Sequence, residues 1–226
     1  LSGVAFMYIV IEGLKGVGKS TLLDALCLRL KQENVRFSLV TPTRPLPRFC
    51  LVEFLAKHCR VLMRSDFFRC YLYRYRSNQH ARQADWTQPL VLGDRSILTS
   101  LVTRWPKDNQ AQYIKKTKAQ ECEIPWPDEV IYLQMPLEPL LLRLKQRQRD
   151  YGKQDECVER LSLAFEAYQD LQEQGECLGV PSDLEWLVVD ANQSPEQVLE
   201  AVYALLKLRC PKAWLRKQQM FHVESV

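Results

Sequence analysis

Residues 13 to 20 read Gly-Leu-Lys-Gly-Val-Gly-Lys-Ser, a G-x-x-x-x-G-K-S pattern that begins where an apolar run ends and finishes where a helical pattern starts. The run before it, MYIVIE over 7–12, is short and β-rich. After it, in STLLDALCLRLKQEN, Leu22, Leu26 and Leu30 recur at helical spacing. A strand, a glycine-rich turn and a helix in that order aim successive backbone N–H groups at one point beside a helix N-terminus, a standard way to hold phosphate oxygens. The candidate contacts to a nucleotide are Gly13, Lys15, Gly16, Val17, Gly18, Lys19, Ser20 and Thr21. Lys19 is placed to reach the β- and γ-phosphates and Ser20 to hold Mg²⁺.

The rest of the chain continues the alternation. RFSLVT (36–41) reads as a second strand, stopped by prolines 42, 45 and 47, and residues 48–84 are mostly helical in pattern and rich in Arg, Tyr and Phe. PLVLGD (89–94), VIYLQM (130–135) and WLVVD (186–190) supply three more strands. LEPLLLRLKQR and the spacing of Val158, Leu161, Phe165 and Tyr168 supply two more helices. Ser194-Pro195-Glu196-Gln197 is a capping box opening the last helix. The stretch 105–127, with two Trp-Pro steps, reads as an irregular surface excursion. The expected fold is a single α/β domain over 1–226, with a parallel sheet of about five strands flanked by helices.

Composition narrows the class further. The 226 residues hold 31 basic and 27 acidic side chains, a net charge of +4, too weak an excess to suggest nucleic-acid binding by itself. No apolar run approaches the ~20 residues that span a bilayer. Eight cysteines occur without a CxxC pair, which argues against zinc and redox motifs and for reduced thiols in a cytoplasmic chain. The opening LSGVAFMYIVI has no basic leader and no cleavage site, so it is read as running into the first strand, with Met7 a candidate natural start.

Asp94-Arg95-Ser96 follows PLVLG directly, so its carboxylate emerges at the C-terminal end of a strand, where ligands bind in open α/β sheets. An acid there can hold Mg²⁺ or its waters; on the tripeptide alone, a helix-capping Asp beside a solvated Arg is an equal reading.

Ile11-Glu12-Gly13 leading into the phosphate loop, then Asp94-Arg95, then Asp190-Ala191-Asn192-Gln193-Ser194, resemble in order the thymidylate kinase family over roughly residues 8 to 206. The resemblance implies a P-loop NTPase-type fold with a small helical lid at about 145–156, ATP and Mg²⁺ as cofactors, nucleotide substrates and a homodimer. It implies transfer of a phosphoryl group from ATP to a nucleoside monophosphate, dTMP first among them. By the same resemblance, Asp94 lies near the metal, Arg95 on the acceptor phosphate, and Asn192 and Gln193 beside the adenine of ATP. Arg74 matches by spacing an arginine that packs on the acceptor base, with Phe68 and Tyr71 as stacking candidates, and Thr99 and Ser100 fall where the family places hydroxyls near that base. Arg44 is a further acceptor candidate. Arg143, Arg147 and Arg149 stand where a lid would bring cations over the phosphates, although Arg143 with Arg147 equally fits a charged helix face.

The chain departs from the family at three places. Lys15 stands where an acid is usual, Thr43-Arg44-Pro45 lacks the family's acid and glycines, and Thr103 replaces a tyrosine. Two other readings stay open. A deoxynucleoside kinase shares a similar loop and an acid-Arg-Ser triplet, but needs a carboxylate base that TPTRPLPR does not supply. A nucleotide-binding regulatory module needs only the loop, and no NKxD guanine motif is present.

Overall fold

The first strand, β1 (Met7–Gly13), is buried at every residue after Met7, as its apolar run up to Glu12 requires when both faces of a sheet are covered. A computed structural model describes residues 6–46, 50–146 and 156–215, apart from the side chains of Arg60, Arg64 and Asp66. The other strands are β2 (Phe37–Val40), β3 (Leu90–Asp94), β4 (Glu129–Gln134) and β5 (Glu185–Asp190). They lie in the order β2-β3-β1-β4-β5 with every neighbouring pair parallel. This is the five-stranded parallel sheet expected from the alternating pattern, in the P-loop NTPase-type α/β fold that the family resemblance implies.

The chain fills the β2 and β3 side of β1 first and crosses to β4 and β5 afterwards, so the C-terminal end of β1 is a topological switch point, where open α/β sheets open a crevice. Ile11 is in register with Asp94 on one side and with Ile131 on the other. Glu12-Gly13 and Asp94-Arg95 therefore leave the sheet side by side.

Nine α-helices flank the sheet among the described residues. They are α1 (Lys19–Gln32), α2 (Leu51–His58), α3 (Arg60–Arg64), α4 (Asp66–Gln83), α5 (Ile97–Val102), α6 (Gln110–Gln120), α7 (Leu137–Gln146), α8 (Val158–Gln174) and α9 (Pro195–Arg209). Leu22, Leu23, Leu26 and Leu30 form the buried stripe of α1. Each side chain so buried stabilises the fold by about 1.5–3 kcal/mol. On its outer side α1 meets α9, where the Arg29 guanidinium lies 3.7 Å from the Tyr203 ring centroid and pairs with Glu200. The capping box of α9 is present: Ser194 Oγ accepts from the Gln197 amide and Gln197 Oε1 from the Ser194 amide.

One expectation is corrected. The stretch 105–127 is not irregular throughout, because it contains α6, whose Ile114 and Thr117 are each only 2% exposed. The two Trp-Pro steps lie outside that helix and punctuate its flanks without interrupting it. All eight cysteines are free, and no helix among the described residues is long and apolar enough to cross a membrane. Of the expected lid at 145–156, residues 147–155, with Arg147 and Arg149, lie outside the described residues.

Candidate active site

The loop after β1 depends on backbone conformations that few residues adopt. Gly13 has φ +142°, and a Cβ there would stand 2.6 Å from the Leu133 carbonyl oxygen. Gly16 has φ +98°, and a Cβ there would stand 2.6 Å from Leu144 Cδ2. Both positions hold left-handed φ, and at Gly13 the fixed carbonyl oxygen makes glycine necessary on steric grounds as well. Lys19, 5% exposed, folds its ammonium back onto the loop and donates to the carbonyls of Gly13 (2.6 Å) and Leu14 (2.8 Å). Ser20 and Thr21 are exposed on the first turn of α1. The result is a ring of backbone amides, one buried ammonium and two hydroxyls at a helix N-terminus, an arrangement suited to polyphosphate.

Beneath the loop, Glu12 is fully buried and accepts four hydrogen bonds. Its Oε1 takes the Ser96 amide (2.7 Å) and the Ser96 hydroxyl (2.8 Å), and its Oε2 takes the hydroxyls of Thr99 (2.7 Å) and Tyr168 (2.8 Å). A buried carboxylate is tolerated when its lone pairs are met in this way. Burial and the neighbouring Glu12 charge hold the Tyr168 phenol well above its ordinary pKa, so it stays a hydrogen-bond donor. Glu12 thus ties β1 to the start of α5 and to α8, and fixes the Asp94-Arg95-Ser96 turn between them.

Within that turn Arg95 has φ +75°, uncommon for a residue with a side chain, and its amide donates to the Ile11 carbonyl at 3.2 Å. Asp94 is 5% exposed, and the Arg44 guanidinium approaches it through Nε and Nη2, both 2.9 Å from Oδ2.

A cavity of about 530 Å³ opens beside the loop. Gly13, Leu14 and Lys15 form one wall, and Arg95, Thr99, Ser100 and Thr103 continue it along α5. Arg69, Tyr73 and Arg74 enter from α4, Tyr113 and Thr117 from α6, and Arg160 and Tyr168 from α8, with Arg104 and Trp105 between α5 and α6 and Glu121 just beyond α6. Six of these are cations, namely Lys15, Arg69, Arg74, Arg95, Arg104 and Arg160, against Glu121 as the one carboxylate among the described lining residues. The wall is braced from outside. Trp105 Nε1 donates to Asp170 at 2.7 Å, the Tyr113 hydroxyl to the Ser100 carbonyl at 3.1 Å, and Lys15 pairs with Glu156 at 3.5 Å. Such a cavity suits an anionic ligand with an aromatic or polar remainder.

The residues expected from sequence distribute unevenly around it. Gly13, Lys15, Arg74, Arg95, Thr99 and Ser100 line the cavity. Arg44 sits on Asp94. Phe68 is half-buried and Tyr71 is half-exposed and stacked on Tyr75, and neither is among the lining residues; from the same helix Tyr73 is. Arg143 donates to the Ala191 carbonyl at 3.3 Å, which ties α7 to the loop carrying Asn192 and Gln193. That loop is shaped by Asp190, which accepts from the Asn192 amide at 2.8 Å. Sequence reasoning missed Arg69, Tyr73, Arg104, Tyr113, Thr117, Glu121 and Arg160. One signal was present: Tyr113, Thr117 and Glu121 are spaced by four, the period of a single helix face.

Comparison with known proteins agrees with this architecture. The family model described as thymidylate kinase matches residues 11–202, most of the chain. A thymidylate kinase of Trichlorobacter lovleyi is 27% identical over 204 residues, spanning 87% of this chain and 94% of that protein. With its parallel sheet, phosphate loop and adjoining cation-lined cavity, the chain belongs to the thymidylate kinase family and is an ATP-dependent nucleotide kinase, a phosphotransferase.

Proposed function

We propose that the protein transfers the γ-phosphate of ATP to a nucleoside monophosphate, with dTMP as the acceptor and Mg²⁺ as the assisting ion. The observation that carries this reading is a shared wall: Gly13, Leu14 and Lys15 belong both to the phosphate loop and to the cation-lined cavity. A donor on the loop and an acceptor in the cavity then meet across that wall, and catalysis is positioning and charge stabilisation. Lys19 clamps the donor phosphates, Arg95 pairs with the acceptor phosphate, and Arg74 and Tyr73 flank its base. Asn192 and Gln193 adjoin the adenine.

Ser20 and Asp94 offer a hydroxyl and a carboxylate, the hard oxygen donors that Mg²⁺ prefers, and the two Arg44 contacts on Asp94 fall on one oxygen only. When bound there, the ion neutralises charge on the transferring phosphate.

An acceptor phosphate is already an anion and needs no base, whereas a nucleoside hydroxyl must lose its proton to a carboxylate. Glu121, the described lining carboxylate, belongs to the α6 end of the cavity, and its electrostatic partners are Ser77, Ser100, Arg74 and Lys118, not the phosphate loop. Steady-state kinetics with dTMP and thymidine, scored by ADP release, test the reading. The expected kcat/KM is at least roughly 10²-fold higher for dTMP, since a site built for a charged group rejects the analogue lacking it. A higher value for thymidine would replace the proposal with a nucleoside kinase.

A further inference from the structure

Glu121 stands where three separate effects oppose a carboxylate. It caps the C-terminus of α6, the negative end of the helix dipole. It is 1% exposed, and burial pushes its carboxyl up from the ordinary value. Neither of its oxygens has a hydrogen-bond partner among the described residues. The hydroxyls of Ser77 and Ser100 and the cations of Arg74 and Lys118 lie near enough to favour its charged form, but none closes a hydrogen bond on it, and the Lys118 ammonium goes to the Ile124 carbonyl. Buried polar atoms in folded proteins are nearly always paired. Two unpaired oxygens on a cavity wall therefore point to a ligand that brings the missing donor.

The groups around Glu121 say which donor. The carboxyl is an acceptor with cavity-lining donors beside it: the Arg74 guanidinium from α4 and the hydroxyl of Ser100. Donor, acceptor, donor is the complement of an N–H flanked by two carbonyls. Resting on the reading of this cavity as the acceptor site, we propose that Glu121 is its specificity-determining residue, receiving the imide N–H of a 4-oxopyrimidine base while the neighbouring donors take the flanking carbonyls. Thymine and uracil carry that edge. Cytosine places an acceptor at the central position, adenine has no carbonyl, and guanine offers a second donor where the site already has one. Charged or neutral, the carboxyl keeps an accepting oxygen for that N–H.

The test compares wild type, Glu121→Met and Glu121→Gln with dTMP, dUMP and dCMP. Methionine fills the space without an acceptor, and glutamine restores a carbonyl oxygen. For Glu121→Met, kcat/KM with dTMP and dUMP is expected to fall about 10- to 10²-fold, mainly through KM, as expected when a buried donor loses its partner. The value for dCMP changes less than about threefold. Glu121→Gln recovers the dTMP value to within about fivefold of wild type. Removing an unpaired buried carboxyl favours folding, so the melting temperature of Glu121→Met is expected at or above wild type, which separates recognition from damage. Unchanged dTMP kinetics in Glu121→Met, or an equal loss with dTMP and dCMP, would overturn the role of Glu121 while leaving the acceptor cavity in place. A wild-type protein that phosphorylates none of the three monophosphates would overturn the acceptor cavity itself, and Glu121's role with it.

Discussion

The phosphate loop is eight consecutive residues whose shape is set by backbone, with three glycines at left-handed φ and a lysine folded onto the loop's own carbonyls. The cavity beside it is made almost wholly of side chains, brought by α4, α5, α6 and α8 from positions as distant as Arg69 and Tyr168. The two regions share one wall yet, on the proposed function, do different work. Every nucleoside triphosphate has the same polyphosphate, so a backbone cradle is sufficient for it. Acceptors differ in their base and sugar, so the surface that reads them has to be built from side chains that evolution can exchange one at a time. Lys15 shows the boundary between the two, since it lies in the backbone-built loop and its side chain faces the exchangeable cavity.

The two regions separate most sharply at Lys19. If the loop's contribution is one ammonium held against a backbone cradle, Lys19→Ala should lower kcat by roughly 10³-fold, the upper range for a single preorganised donor. Acceptor binding to the cavity should persist, because Lys19 is absent from its lining. Kinetics beside direct dTMP-binding measurements check both halves. A variant that loses acceptor binding as well would show that the two regions are not separable.

Glu12 is where they join. Glu12→Ala leaves the Ser96 amide and the hydroxyls of Ser96, Thr99 and Tyr168 without their partner. A destabilisation of at least about 3 kcal/mol is expected, which for a chain of this size lowers Tm by about 6–12 °C. Thr99 and Tyr168 line the cavity and Ser96 adjoins Arg95, so acceptor KM should rise with it, measured well below the melting transition. A melting curve that matches wild type would reduce Glu12 to one satisfied carboxylate among many.

How much of this was legible in the sequence follows the same division. The loop could be read because its residues are contiguous and each glycine answers a local backbone demand. The sheet could be read because strands covered on both faces are apolar until their C-terminal ends, as in β1 before Glu12 and β3 before Asp94. Arg69, Arg104 and Arg160 could not be read as one site, since nothing local distinguishes a cation facing a cavity from one facing water; only the packing of α4, α5 and α8 decides. Phe68 and Tyr71 illustrate the same limit, because choosing among aromatics on α4 requires the helix's rotation, and the residue facing the cavity is Tyr73. The proline signals around α6 were real, but they marked its ends, and the four-residue spacing of Tyr113, Thr117 and Glu121 was the stronger message.

The smallest effect expected lies behind the cavity, in the pair that ties α2 to α4. Arg76 donates through Nε and Nη2 to the two oxygens of Glu53, at 2.7 and 2.6 Å, and through Nη1 to the carbonyl of Thr43, a cavity residue, at 3.2 Å. Glu53 also accepts from the Leu46 amide at 3.1 Å. Burial alone would push the Glu53 carboxyl up, yet the Arg76 guanidinium and the Leu46 amide outweigh it and hold it below the ordinary value. A carboxyl lowered on folding adds stability that is present above its unfolded value, near ~4.3, and is lost as pH falls through the lower folded value. Glu53→Gln keeps the shape, removes the charge and leaves Arg76, only 8% exposed, with weaker partners. At pH 7 the variant should lose about 1.5 kcal/mol, the low end for hydrogen bonds to a charged group, or about 3–6 °C in Tm. The gap should hold between pH 5 and 8 and close below about pH 4, as wild-type Glu53 takes up its own proton. Thermal melts of both proteins across that range measure it. A gap that stays constant down to acid pH would mean that the pair acts through packing, and that the wall behind the cavity is held by shape with no contribution from charge.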